Sequence, residues 1–198
     1  MFRTLPSLAP NTILSVLLTA ALIGSLSVAL ALGMGFIETT HAKTPQSSAE
    51  DFIDAFYSFD ATKLAENMQA PEDEKITLYY QAWAKAADYA VQTRRPCTRS
   101  NSTYTCKITV TDNFGKTMGY TATDTFVLTS SEDGQITGVS FSGDDPPIFE
   151  ELFSWMGEHQ PGVMSGPCHL LFAGGTTPAA CSKAVVAAAE TFMAERSK

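Results

Sequence analysis

The sequence predicts an α+β fold in which N-terminal helices pack on an antiparallel sheet and a helical extension follows at the C terminus. Two patterns carry this prediction. Apolar residues recur at helical spacing from Phe52 to Ala90, and they then alternate with polar residues, mainly threonine, from Thr103 to Phe141. Because each predicted strand has one apolar face, the helices should cover the sheet on one side only.

Three helices are predicted before the sheet. Ser48 suits the N-cap of the first, because the acidic residues Glu50 and Asp51 follow in its first turn. A second, short helix covers residues 61–68. A longer helix begins at Asp73 and ends before Pro96, since proline breaks the helical pattern.

Three strands are predicted next, over residues 103–110, 118–128 and 136–141. Asn113-Phe114-Gly115 suits a three-residue hairpin loop with the glycine in the left-handed conformation. This loop sets a register in which Tyr104 faces Asp124. After the sheet, the sequence predicts a short helix over 148–156, a loop over 157–177 and a last helix that begins at Thr177-Pro178.

The first 42 residues are predicted to direct export. Arg3 precedes an uncharged, mostly apolar run of 25 residues, 13–37. A cleaved signal has an apolar core of roughly 7–15 residues and a membrane-spanning helix needs about 20, so two outcomes stay open. Cleavage after Thr40-His41-Ala42 would leave a soluble chain beginning at Lys43, and retention would anchor it. In both cases residues 43–198 are exported to the periplasm or the extracellular space.

The charge of the chain limits its partners. Its formal net charge is −8, and the first 42 residues hold only Arg3 and Glu38, so residues 43–198 carry all of it. Nucleic acid is excluded as a partner because binding the phosphate backbone needs a basic surface. Contact with a membrane is expected only through residues 13–37, if they are not cleaved.

The four cysteines predict disulfide bonds. Three connectivities are open, and Cys97–Cys106 with Cys168–Cys181 is favoured because each pair encloses a short segment rich in turn residues. The sequence has no C-x-x-C spacing, and free buried thiols suit a cytosolic protein better than an exported one. No metal site and no cofactor are predicted.

The order of these elements resembles the nuclear transport factor 2-like superfamily over residues 48–157. The opening helix Phe52-Ile53-Asp54-Ala55-Phe56-Tyr57 and the strand Ile136-Thr137-Gly138-Val139-Ser140-Phe141 carry the resemblance. It implies a curved sheet that wraps the long helix into a cone with a pocket. With the predicted export segment, this divides the chain into three: residues 1–42 as export signal or anchor, 43–157 as the cone domain, and 158–198 as a disulfide-tied loop and C-terminal helix. The last segment departs from the common pattern of the superfamily.

Asp124 is the candidate catalytic residue, because it is the one acid on an otherwise apolar strand face. With Tyr104 beside it in a cone mouth, partial desolvation should raise its pKa toward that of a general base. The alternative is a structural acid that hydrogen-bonds Tyr104 or a backbone amide. The pocket is expected to be lined by four aromatic residues: Trp83, Tyr120, Phe126 and Phe141.

Two functions follow from the resemblance. The first is an exported, non-enzymatic binding or assembly module, such as a subunit of an envelope or secretion complex, that takes a protein partner or a small apolar ligand. Members of the superfamily include the exported domains of anchored subunits in type IV secretion machines, so self-association is expected if residues 13–37 are retained as an anchor. The alternative is a small enzyme, similar to the isomerases and cyclases of the superfamily, that uses Asp124 with Tyr104.

Overall fold

The α+β fold class is confirmed by a computed structural model, which describes residues 44–198. The predicted export segment, with the run 13–37, lies outside the described residues. A five-stranded antiparallel sheet, which does not close into a barrel, follows three helices and precedes a helical C-terminal part. The elements are α1 (Pro45–Tyr57), α2 (Ala61–Glu66), α3 (Pro71–Ala86), β1 (Ala90–Arg94), β2 (Thr98–Ser100), β3 (Thr103–Thr111), α4 (Asn113–Met118), β4 (Ala122–Ser130), β5 (Ile136–Ser142), α5 (Pro147–His159), α6 (Pro161–Ser165) and α7 (Pro178–Arg196).

The sheet runs in the order β1-β3-β4-β5, and β2 pairs separately with β3. Every strand pair is antiparallel. In the central pair, Cys106 lies opposite Phe126 and Ile108 lies opposite Asp124. This register places the buried residues of β3 and β4 on one face, as their alternating pattern predicts.

The predicted hairpin loop at Asn113–Gly115 is wrong, because a short helix, α4, occupies that position. The Asp112 carboxylate accepts a hydrogen bond from the Gly115 backbone N–H at 2.5 Å, which caps the first turn. Gly119 then ends the helix at a φ of +81°, a conformation that suits glycine.

The longer connection also overturns the predicted strand register. Tyr104 pairs with Leu128 and not with Asp124, four residues further along β4 than expected. The helix takes up residues that the hairpin interpretation assigned to the strands, and the shift is even, so each side chain keeps its predicted face.

Two helix starts also differ from the prediction. α1 begins at Pro45 with Thr44 as its N-cap, in a reciprocal capping box with Ser47, so Ser48 lies inside the helix. α3 begins at Pro71, because proline at the first helical position suits the helix geometry. It ends at Ala86, and the predicted last turns instead form the exposed strand β1.

Polar contacts fix α1 and α3 to the two edges of the sheet. Arg94 on β1 forms ion pairs with Asp54 and with Glu50 of α1, the latter at 2.5 Å between Nη2 and Oε2. The other Glu50 oxygen accepts from the backbone N–H of Cys97 at 2.6 Å. On the opposite edge, Asp73 of α3 accepts from the Val139 backbone N–H at 2.9 Å.

Two hydrophobic clusters form the core. The first lies between α1 and the sheet, and its largest fully buried members are Phe52, Phe56, Tyr104, Phe126, Ile108 and Leu128. The second joins α3, α4, α5 and α7, and includes Tyr79, Trp83, Phe114, Leu152, Met156 and Val185. The segment 158–198 therefore shares a core with α3, through the buried face of α7.

Both predicted disulfide bonds are confirmed. Cys97–Cys106 ties the segment after β1 to β3, and Cys168–Cys181 ties the loop after α6 to α7. The first belongs to the α1–sheet cluster and the second to the α7 cluster. Bonds of this kind indicate an oxidising environment such as that outside the cytoplasm. Within residues 44–198, no helix is long and apolar enough to cross a membrane.

We expect the double variant Cys168→Ala/Cys181→Ala to lower the free energy of unfolding by about 2–3 kcal/mol, because the bridge closes a short loop in the unfolded chain. Chemical denaturation of the oxidised variant and of the oxidised wild type measures the difference. The matched control is Cys97→Ala/Cys106→Ala, which should lose a similar amount. If neither pair changes the midpoint, the bridges do not stabilise the fold.

Candidate functional site

Asp124 lies on the buried face of β4, as its place in the alternating pattern predicts. Its neighbours on that face, Ala122 and Phe126, are buried, and only 3% of the aspartate is exposed. A carboxylate in such surroundings is costly unless it is neutral or hydrogen-bonded.

The partner of this carboxyl group is Tyr57, the last residue of α1. The Tyr57 hydroxyl donates a hydrogen bond to Oδ2 of Asp124, with 2.5 Å between the two oxygens. The predicted partner, Tyr104, is not brought to Asp124, because the strand register places it opposite Leu128. Tyr104 is fully buried in the first cluster, and the Arg99 guanidinium lies 5.8 Å from the centre of its ring.

The environment of Asp124 favours its protonated form. Burial raises its pKa from 3.8 to about 7. The Tyr57 hydrogen bond favours the charged form and so lowers the pKa, which offsets part of that rise. The neighbouring carboxylates Asp145, Asp112 and Asp144 raise the pKa further. The pKa of Tyr57 is also raised, first by burial and then by the adjacent negative charge.

Asp112 is a second buried acid close to this point. Burial raises its pKa from 3.8 to about 7, whereas hydrogen bonds from the Gly115 backbone and from Tyr89 lower the pKa and offset part of that rise. Burial raises the pKa of Tyr89 well above 10, and the charges of Asp112, Asp124 and Asp145 add to that effect.

A third acid and a third tyrosine complete the arrangement. Burial and the charge of Asp144 raise the pKa of Asp145. Burial, followed by the charges of Asp145 and Asp112, raises the pKa of Tyr120. We call this group the acid–tyrosine cluster; its members are Asp112, Asp124, Asp145, Tyr57, Tyr89 and Tyr120. It lies at the end of the sheet where β3 and β5 finish and where β1 and β4 begin.

Three of the four aromatic residues predicted to line a pocket, Phe126, Phe141 and Trp83, lie in one row of rings. Phe126 is 1% exposed and packs between Phe56 and Phe141, each with a ring-centroid separation of 4.9 Å. The Phe141 ring packs against the Tyr80 ring with 5.4 Å between their centroids. The Tyr80 ring stacks on Trp83 with a centroid separation of 6.4 Å. These side chains form a row of packed rings that links the two hydrophobic clusters.

Tyr120, the fourth predicted pocket residue, belongs to the acid–tyrosine cluster. Its hydroxyl oxygen is buried and makes no hydrogen bond of good geometry among the described residues. The Asp145 carboxyl group raises the pKa of Tyr120 through its charge and through a weak side-chain hydrogen bond.

Two open depressions lie on the surface of the described residues. The first, of about 390 Å³, lies beside α1 and α2, and is lined by Asp51, Asp54, Ala55, Ser58, Lys63, Glu66 and Asn67. The second, which we call the sheet depression, has a volume of about 210 Å³ on the exposed face of the sheet. Its lining residues are Thr93, Arg95, Lys107, Thr109 and Thr123.

Groups suited to nucleophilic or metal chemistry are few in residues 44–198. The four cysteines are paired in disulfides. In this range, no group of three or more histidine, cysteine, aspartate and glutamate side chains is placed to hold a metal ion. His159 stacks on Trp155 with 4.9 Å between the ring centres. The chemistry available at the acid–tyrosine cluster is therefore hydrogen bonding and proton exchange by its carboxyl and phenol groups.

No protein family, curated protein or solved structure matches this chain. The functional argument therefore depends on the described residues themselves. Four members of the cluster, Tyr57, Tyr89, Asp112 and Asp145, were missed at the level of sequence. One signal pointed to Tyr57: it ends a predicted helix whose aromatic stripe had to pack on the face that carries Asp124.

We expect the free energy of unfolding to fall as the pH rises. The folded protein holds the Asp124 proton up to about pH 7, whereas the unfolded chain releases it near pH 3.8. The stabilising effect is therefore complete below about pH 4 and is lost as the pH rises through 7. In Asp124→Asn the side chain is neutral at every pH and still accepts a hydrogen bond from Tyr57. The variant should therefore reduce the decrease in the free energy of unfolding by about 2–4 kcal/mol.

Chemical denaturation of both proteins at pH 4 and pH 8 measures this effect. Glu132→Gln is the matched control, because it removes a carboxylate from an exposed turn and should leave the fall unchanged. An Asp124→Asn variant that loses stability with pH as steeply as the wild type would show that Asp124 is charged in the folded protein.

Proposed function

We propose that this chain is an exported, non-enzymatic binding or assembly module of the nuclear transport factor 2-like type. Three observations support this. Helices precede an antiparallel sheet and cover one of its faces. All four cysteines are oxidised, which suits the periplasm or the extracellular space. The uncharged run 13–37 supplies either a signal or an anchor.

The observation that favours binding over catalysis is the burial of Asp124. A general base must come within hydrogen-bond reach of the proton that it removes. Only 3% of Asp124 is exposed, and one of its oxygens already accepts from Tyr57. The pair therefore serves best as a fixed internal contact that holds α1 against the sheet.

The partner of the module is a protein or a small apolar ligand, and the acidic charge of the exported part excludes nucleic acid. If residues 13–37 are retained, the domain is held at the membrane as a subunit of an envelope or secretion complex. If they are removed, it is a soluble binding protein that begins at Lys43.

A second candidate is a small isomerase- or cyclase-like enzyme. The observation in its favour is the pKa of Asp124, which at about 7 lies in the range of a general base at neutral pH. This alternative requires Tyr57 to move away, so that the carboxyl group meets a substrate. Asp124→Asn should then abolish turnover while circular dichroism shows an unchanged fold.

We expect cross-linking of the full chain, in the cell that exports it, to give discrete adducts outside the cytoplasm. The adducts should persist in Asp124→Asn, because an assembly surface does not need the acid. Mass spectrometry of the same material identifies the N terminus: a chain that begins at Lys43 is soluble, and an intact chain is anchored. Absence of adducts, together with a reaction lost in Asp124→Asn, would replace the binding module with the enzyme.

A further inference from the structure

Two large apolar side chains stand out on the surface of the C-terminal part. Leu170 is 59% exposed and Phe172 is 63% exposed, both in the loop that the Cys168–Cys181 bond ties to α7. We call these two residues the apolar tip. The two positions flank the buried Leu171, so the chain presents two large apolar side chains to solvent within three residues.

The structure holds the tip outward. The Phe172 ring packs edge-on against Phe153 of α5, with 5.5 Å between ring centres, and Phe153 contacts Phe149 at 4.8 Å. Phe149 in turn contacts Phe114 in the second hydrophobic cluster. Leu170 has a φ of +56°, which is uncommon for a residue with a side chain and persists only where the surroundings impose it.

The sequence around the tip is mainly acidic, and Arg196 of α7 is paired with Glu151 of α5. Residues 117–182 include eight aspartates and glutamates but no lysine or arginine, and residues 159–182 carry none of these four residue types. Two of the acids, Glu150 and Glu158, are exposed on α5, the helix that supports Phe172. A partner for the tip should therefore present an apolar recess with cations at its rim.

The sheet depression has both properties. Arg95 and Lys107 are exposed at its rim, and its other lining residues are three threonines, whose methyl groups are apolar. No acidic side chain is among these lining residues, and the Asp144 carboxylate accepts a hydrogen bond from the Thr123 backbone N–H at the edge. Its volume of about 210 Å³ is sufficient for a phenyl ring, since a cavity of about 150 Å³ holds benzene in another protein.

We propose that a second copy of this chain binds the apolar tip in its sheet depression. Phe172 of one copy occupies the recess with Leu170 beside it, and Arg95 and Lys107 of the other copy face the acidic residues around the tip. The two surfaces are different, so the contact is head-to-tail, and each copy keeps a free tip and a free depression for the next. The inference deepens the proposed assembly function by naming its partner and its surfaces.

A membrane is the weaker candidate for covering the tip. The acids on α5 would be repelled by anionic lipid, and the loop offers no lysine or arginine to bind a lipid phosphate. The cations of the sheet depression complement the same acids, so charge favours a second copy.

The test is sedimentation of the full chain in a dilution series, with variants that inactivate one surface each. Phe172→Ser removes the tip, and Arg95→Glu/Lys107→Glu inverts the charge of the depression. Each variant alone should associate at least about tenfold more weakly than the wild type, as expected for an interface anchor. A one-to-one mixture of the two variants should form dimers and nothing larger, because it contains one intact tip and one intact depression.

Two controls match these changes. Phe172→Leu keeps an apolar tip, and Lys63→Glu inverts a charge on α2, away from the sheet depression, so both should associate like the wild type. A wild type that stays monomeric, variants that associate normally, or a mixture without dimers would overturn the proposal. So would a monomeric wild type that binds neutral lipid vesicles through Phe172. In each of these cases, cross-links to another protein would still support the proposed binding module.

Discussion

Phe126 lies where the first helix crosses the sheet, and its ring packs against Tyr57, at a centroid separation of 6.3 Å, and against three phenylalanine rings. The centroid separations are 5.9 Å to Phe52, 4.9 Å to Phe56 and 4.9 Å to Phe141. This packing fixes the C-terminal end of α1 over β4. Tyr57, which follows Phe56, therefore reaches the carboxyl group of Asp124, two positions before Phe126 on the strand. The hydrogen bond alone would not position the helix, because its net contribution is small beside the burial of three phenyl rings.

The acid–tyrosine cluster departs from the apolar pattern of the core around it. Asp112 and Asp124 are buried beside an otherwise hydrophobic core, where a charged carboxylate is costly. Their carboxyl groups have different structural roles: Asp112 caps the N terminus of α4, and Asp124 accepts a hydrogen bond from Tyr57 at the end of α1. Both helices therefore meet the sheet through a group whose protonation changes near neutral pH.

Sequence patterns predicted the features that depend on local order. The apolar stripe of Phe52 and Phe56, the alternation of β3 and β4 and the two short cysteine spacings each reflect one element or one short loop. The strand register was not predictable, because it depended on whether Asp112 would cap a helix or end a strand. The Tyr57–Asp124 contact was missed for a related reason: it joins residues 67 positions apart and depends on how α1 crosses the sheet. The exposed strand β1 has no apolar face, so its pattern carries no strand signal.

Each hydrophobic cluster contains one disulfide bond, and this has a consequence for the order of events during export. In a reducing cytoplasm neither bond forms, so both halves of the core lack their covalent tie. A deficit of about 2–3 kcal/mol per bond is a large part of the 5–15 kcal/mol that typically stabilises a domain. On the proposed export route, the chain gains this part of its stability only after it reaches an oxidising compartment. The two bonds would therefore stabilise the folded state after export and not before it.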